Sequence, residues 1–176
     1  MRGGRLLFES IDLTLRPGHA AVVTGPNGAG KSSLLRLAAG LLQPSAGSVA
    51  RIAAAALADD NQALDERLTL GRALSFWARL DGGRAEAGME PLGLMSLSDV
   101  PVRMLSAGQR KRATLARVVA SGAPLWLLDE PLNGLDSGSA AALAGVMADH
   151  RAQGGAILAA SHQPLGLGDA AAVALA

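Results

Sequence analysis

The apolar positions along the chain change period several times. Ile11, Leu13 and Leu15 alternate with Asp12 and Thr14, the period-two pattern of a half-buried strand. Pro17-Gly18 turns the chain into an unbroken apolar run, Ala20-Ala21-Val22-Val23-Thr24, the pattern of a strand buried on both faces. From there the spacing becomes helical. Leu34, Leu35, Leu37, Ala38 and Leu41 predict a helix to about Leu42, ended by Pro44-Ser45-Ala46-Gly47. Short apolar runs at 48–52 and 54–57 predict two more strands.

Residues 63–104 form a different block. A helical pattern near 69–80 (Leu70, Ala73, Leu74, Trp77, Leu80) runs into Asp81-Gly82-Gly83, which predicts a small helical insertion. Alternation then resumes, with a helix at about 107–121, a strand at 125–129, a helix at 137–152 and a strand at 156–160. The Ala-rich tail fits either a last strand or a frayed end. This order of elements predicts an α/β fold, a mainly parallel sheet covered by helices. A length of 176 residues predicts one domain.

Composition narrows the classes. Hydrophobic content of 49% excludes a disordered chain, and the absence of cysteine excludes a disulfide framework and a thiolate metal site. No uncharged apolar stretch reaches membrane-spanning length. Met1-Arg2-Gly3-Gly4-Arg5-Leu6 has no apolar segment behind its basic residues, so a signal peptide is not expected. A net charge of +1 argues neither way about nucleic acid, but aromatics at 2% and no tyrosine leave no base-stacking platform. No nucleic-acid partner is expected.

Candidate chemistry is concentrated in residues 25–33: Gly25, Pro26, Asn27, Gly28, Ala29, Gly30, Lys31, Ser32 and Ser33. Gly25-x4-Gly30-Lys31-Ser32 is a complete phosphate-binding loop, set between a strand and a helix as that motif requires. Its glycines let the backbone turn several N–H groups toward one anion, and the helix adds its positive end. Lys31 has the reach to contact β- and γ-phosphates, and the Ser32 hydroxyl is a Mg²⁺ ligand type. Of 16 basic residues only Lys31 and Lys111 are lysine. A chain that otherwise uses arginine places a compact, flexible ammonium in this loop.

Pro124-Leu125-Trp126-Leu127-Leu128 ends in Asp129-Glu130, two carboxylates at the carboxyl end of a predicted parallel strand, where ligands bind in such sheets. Asp129 is placed to hold Mg²⁺, and Glu130, one residue on, to orient and deprotonate a water. Leu105-Ser106-Ala107-Gly108-Gln109 precedes a basic helix. Ser106 is an N-cap with Gln109 at the capping-box position. The same helix start is also a second candidate anion site.

Taken together and in this order, these elements resemble the ATP-binding cassette of ABC transporters. The resemblance adds a D-loop at Leu135-Asp136 and a switch histidine at His162, and covers nearly the whole chain. It implies a P-loop cassette with an N-terminal antiparallel β portion, shortened here, and a helical subdomain at about 63–121 inserted in the α/β core. It implies ATP and Mg²⁺ as ligands, with Glu130 as base. His162 would contact the γ-phosphate and the attacking water. It further implies a head-to-tail homodimer in which Ser106, Gly108, Gln109 and Asp136 complete the site of the other subunit. His19 and His150 carry no such role. A glutamine sensing Mg²⁺ is also implied; Gln62 is the natural choice, while counting back from Leu68-Thr69 selects Asn61. The family's adenine-stacking aromatic has no clear counterpart, Phe8 falling in the hairpin. A small preference for ATP over GTP is therefore expected. Arg110-Lys111-Arg112 after the signature and His162-Gln163-Pro164-Leu165 resemble, more narrowly, the ATP-binding subunits of cytochrome c maturation haem exporters. Those energise haem export or haem-chaperone release through integral-membrane subunits, at the cytoplasmic face of the inner membrane. A different ABC exporter and a soluble, non-transport ABC ATPase remain the alternatives.

Overall fold

The computed structural model describes residues 6–59 and 63–176. Its centre is a 5-stranded sheet in which every neighbouring pair is parallel. The strands are β1 (Ala20–Thr24), β2 (Ala55–Ala58), β3 (Leu125–Asp129), β4 (Ala156–Ala160) and β5 (Ala171–Ala174), in the order β2-β3-β4-β1-β5. β3 and β4 are buried along almost their whole length, as their unbroken apolar runs require.

Alternation along the strands divides the core into two layers. Ala21, Val23, Leu127, Leu158 and Ala160 face one side, where they meet Leu34 and Leu35 of helix α1 (Lys31–Ala38). Trp126, Leu128, Ile157 and Ala159 face the other, toward α2 (Leu70–Asp81), α3 (Ala85–Met89), α4 (Ala107–Ala120) and α5 (Ser137–Ala152). Two glycines let α3 and its entry lie close on α4. A Cβ on Gly88 would stand 2.0 Å from the Ala116 carbonyl oxygen, and one on Gly83 would stand 1.8 Å from that of Ala120. Single 3-10 turns at 95–97 and 102–104 join α3 to α4.

Strands at 125–129 and 156–160 and the helix at 137–152 form where the sequence places them. The tail forms β5 rather than a frayed end. Three expectations are corrected. The helix after the phosphate loop stops at Ala38, not near Leu42, because Gly40 adopts φ +76°. Gly40 N–H bonds Leu37 O and Leu41 N–H bonds Arg36 O, the paired closure of a Schellman motif. Residues 11–15 and 48–52 form no strand, so the expected N-terminal antiparallel portion is absent among the described residues. Burial still alternates at 11–15, with Ile11, Leu13 and Leu15 half-buried against the α1-side core and Asp12 and Thr14 exposed. Among the described residues no neighbouring strand pairs with them, and the side-chain pattern alone does not make a ladder. Among the described residues no helix is long and apolar enough to cross a membrane.

Candidate functional site

The carboxyl ends of three strands line up in one row of the ladder. Val23 pairs with Ala160, and Ala160 with Asp129. Two strand spacings, about 10 Å, therefore separate the start of the phosphate loop from Asp129. The loop itself leaves β1 at Gly25 and enters α1 at Lys31, with Gly25, Gly28 and Gly30 all at positive φ (146°, 85° and 105°). A Cβ on Gly30 would meet the Phe8 ring at 2.8 Å and Leu7 Cβ at 3.1 Å, whereas one on Gly28 would meet nothing. The loop is thus packed from behind and open at Pro26, Asn27 and Gly28, which are exposed. α1 has no side-chain N-cap, so the backbone amides of its first turn, at Lys31, Ser32 and Ser33, present an uncapped anion site. Lys31 is buried, its Nζ donating to Gly25 O at 2.8 Å and Pro26 O at 3.3 Å. Those carbonyls hold the ammonium inside the loop's own curve.

Across the row, Asp129 is buried at the end of β3. Glu130 follows at φ +44°, a left-handed backbone uncommon for glutamate, held by its N–H on Ala160 O at 2.8 Å. Its Oε2 lies 2.9 Å from His162 Nδ1. Strain at a residue that carries chemistry is a recurring feature of active sites. The structure therefore brings Lys31, Ser32, Asp129, Glu130 and His162 to one edge of the sheet.

Two further candidates, Ser106 and Asp136, each cap a helix. Ser106 caps α4 in a reciprocal capping box: Gln109 N–H donates to Ser106 Oγ at 3.2 Å, and Ser106 N–H to Gln109 Oε1 at 2.8 Å. Gly108 lies against the next loop, where a Cβ would sit 2.9 Å from Gly134 O. Asp136 caps α5, accepting from Ser139 N–H at 2.7 Å, and that bond holds its carboxyl below the usual range. Ser106 and Gln109 spend their hydrogen bonds on each other. Asn61 and Gln62 lie outside the described residues.

Some contacts were not foreseen. Lys111 Nζ donates to Asp129 O at 3.2 Å, so the chain's second lysine also serves the carboxylate strand. The scarcity of lysine was the signal that could have found it. Gln163 Nε2 donates to Asn133 Oδ1 at 3.2 Å, tying the segment after His162 to the loop after Glu130. Phe8 sits on the phosphate loop rather than in a hairpin.

A family model for ABC transporters matches residues 8–133. The chain is 56% identical over 172 residues to the cytochrome c biogenesis ATP-binding export protein CcmA of Sphingopyxis alaskensis, covering 96% of this chain and 89% of that one. The corresponding protein of Zymomonas mobilis is 50% identical over 171 residues, covering 96% and 77%.

The chain belongs to the ABC transporter family.

The cassette's fold agrees with this. It superposes on the ATP-binding subunit of an ABC transporter with TM-score 0.81 at 24% identity, covering 91% of this chain and 75% of that one. An ATP-binding cassette solved as a dimer in a post-hydrolysis state with ADP and Pi gives 0.79 at 19% identity, covering 89% and 80%. As an ABC ATPase, the protein is a nucleotide-binding enzyme.

Proposed function

We propose that this cassette hydrolyses ATP to energise haem export, or release of a haem chaperone, in cytochrome c maturation. The observation that carries the ATPase part is the single sheet edge that gathers the phosphate loop, Asp129, Glu130 and His162. The assignment to cytochrome c maturation rests on relatives that bear that name at 48–56% identity over nearly the whole chain.

In this reading the open amides of Lys31, Ser32 and Ser33 and the Lys31 ammonium hold the β- and γ-phosphates. Lys31 would exchange its Gly25 and Pro26 carbonyl partners for phosphate oxygens. Ser32 and Asp129 offer a hydroxyl and a carboxylate, oxygen donors that suit a hard divalent cation whose other ligands are water and phosphate. Mg²⁺ bound there would neutralise charge on the phosphates. Glu130 takes the proton of the attacking water, and His162, bonded to the same carboxylate, orients that carboxylate and reaches the γ-phosphate.

One chain holds half of each of two sites. Ser106 and Gly108, on the N-terminus of α4, would meet the γ-phosphate held by a second copy, with Asp136 at the same interface. That the capping box leaves Ser106 exposed at the start of α4, open to a second copy, supports this arrangement. ATP then closes a head-to-tail homodimer and hydrolysis opens it. The whole chain acts as one such cassette, with residues 63–121 as its helical part. The movement is passed to integral-membrane subunits, placing the protein peripherally on the cytoplasmic face of the inner membrane. A strain lacking the gene tests this. The wild-type gene should restore haem attachment to cytochromes c, and Lys31→Ala should not. Full restoration by Lys31→Ala would overturn the reading.

A further inference from the structure

We propose that Leu175 and the strand leading to it, β5, position the phosphate loop, by standing as a wall against Gly25. The proposal rests on residues 25–33 being the nucleotide site.

β5 runs beside β1, with Ala171 to Ala174 paired to Ala21 to Thr24. The ladder continues one step further: Leu175 N–H donates to Thr24 O at 2.8 Å, the last carbonyl before the loop. At the next residue the two backbones nearly touch. A Cβ on Gly25 would stand 2.5 Å from Leu175 O and 3.3 Å from its carbonyl carbon and its Cβ. Gly25 also has φ +146°, so both contact and backbone demand glycine there. Leu175 is 4% exposed and shares an apolar cluster with Ala29, in the loop itself, and Leu35, on α1. Leu175 therefore meets the loop's start with its backbone, and its side chain is buried in the cluster that also holds the loop's Ala29.

The consequence reaches Lys31. Its Nζ donates to Gly25 O, the carbonyl of the residue pressed on Leu175. A shift of that carbonyl moves the ammonium from which phosphate is captured. The wall is itself held at its other end. Arg151 forms a two-pronged bond to Asp169, just before β5, while its Nε donates to Gly18 O at the turn into β1. One arginine thus fixes the entry of both strands. Between these anchors β5 buries only Val173, and that in part, since Ala171, Ala172 and Ala174 are exposed. At its far end Leu175 is the buried side chain, with Val173 packed in part on the same cluster.

The bland alternative is an edge strand that only completes the sheet. A stability-matched comparison separates the two. Leu127 is fully buried in the same cluster, on β3. Equilibrium binding of Mg·ATP, turnover and Tm are measured for wild type, Leu175→Ala, Leu175→Met and Leu127→Ala. Leu175→Ala should weaken Mg·ATP binding on the order of tenfold, with turnover at saturating ATP little changed. Leu175→Met should restore binding to within about twofold, because it conserves volume. Leu127→Ala should lower Tm without weakening binding. Should Leu175→Ala not fold, Leu175→Val carries the same comparison in milder form. Unchanged affinity in the Leu175 variants, or equal weakening by Leu127→Ala, would overturn the positioning role. Wild type that binds no ATP would instead overturn the nucleotide reading itself.

Discussion

Glu130 and His162, at the ends of the neighbouring strands β3 and β4, share one carboxylate oxygen: His162 Nδ1 lies 2.9 Å from Glu130 Oε2, and the His162 backbone N–H faces the same oxygen at 3.4 Å. In the proposed mechanism this pair holds the Glu130 carboxylate in place before substrate arrives. Both Glu130→Gln and His162→Ala should lower turnover by about 10²- to 10⁴-fold, the usual worth of a positioned proton acceptor. Mg·ATP affinity should stay within a few-fold. Steady-state turnover and equilibrium binding on the same preparations check this. Near-normal turnover in Glu130→Gln would remove it as the base.

Gly30 should not tolerate a side chain. Its φ of +105° and the Phe8 ring atom 2.8 Å from an added Cβ both oppose one. Gly30→Ala should cost about 1–3 kcal/mol of stability and weaken nucleotide binding. Adding Phe8→Ala opens the space, so the double variant should regain part of the loss relative to the sum of the single changes. Denaturant midpoints for the four proteins measure that coupling.

Phe8 also bears on base recognition. Its ring is engaged with Gly30, and the chain has no tyrosine to stack on adenine. ATP should be preferred over GTP only by a little. Competition of the two nucleotides for binding checks this; strong selectivity for ATP would contradict it.

His150 stacks on Trp126 with ring centroids 3.7 Å apart and planes 7° from parallel. Burial holds its imidazole below the ordinary value of 6.5, and backbone groups of Ala156 and Pro124 only partly oppose that. The unfolded chain therefore binds this proton more readily than the folded one. Stability from this group is complete above the ordinary histidine range and is lost as pH falls through it. His150→Phe keeps a ring on Trp126 and removes the titration. The difference in denaturant midpoint between pH of about 7.5 and about 5.5 should be smaller in that variant than in wild type.

Much of this was legible in the sequence because it is local. The phosphate loop declares itself by its glycines and Lys31, and α4 by its Ser106–Gln109 capping box. β3 and β4 are unbroken apolar runs, and burial on both faces is what such runs encode. Gly40 carried the true end of α1, though the apolar spacing ran past it to Leu41. What stayed hidden is pairing. The alternation of Ile11, Leu13 and Leu15 reports which side is buried, not whether a neighbouring strand accepts hydrogen bonds. The Glu130–His162 bond joins residues 32 positions apart, and the contact between Leu175 and Gly25 spans most of the chain. Sheet order brings both together, and no local pattern encodes it.

The central claim is that this cassette hydrolyses ATP only as a nucleotide-sandwiched pair. Light scattering of Glu130→Gln with Mg·ATP, and separately with Mg·ADP, tests it most directly. With ATP the mass should double, and with ADP it should be that of one chain. A single-chain mass in ATP, at concentrations where binding is saturated, would contradict the account.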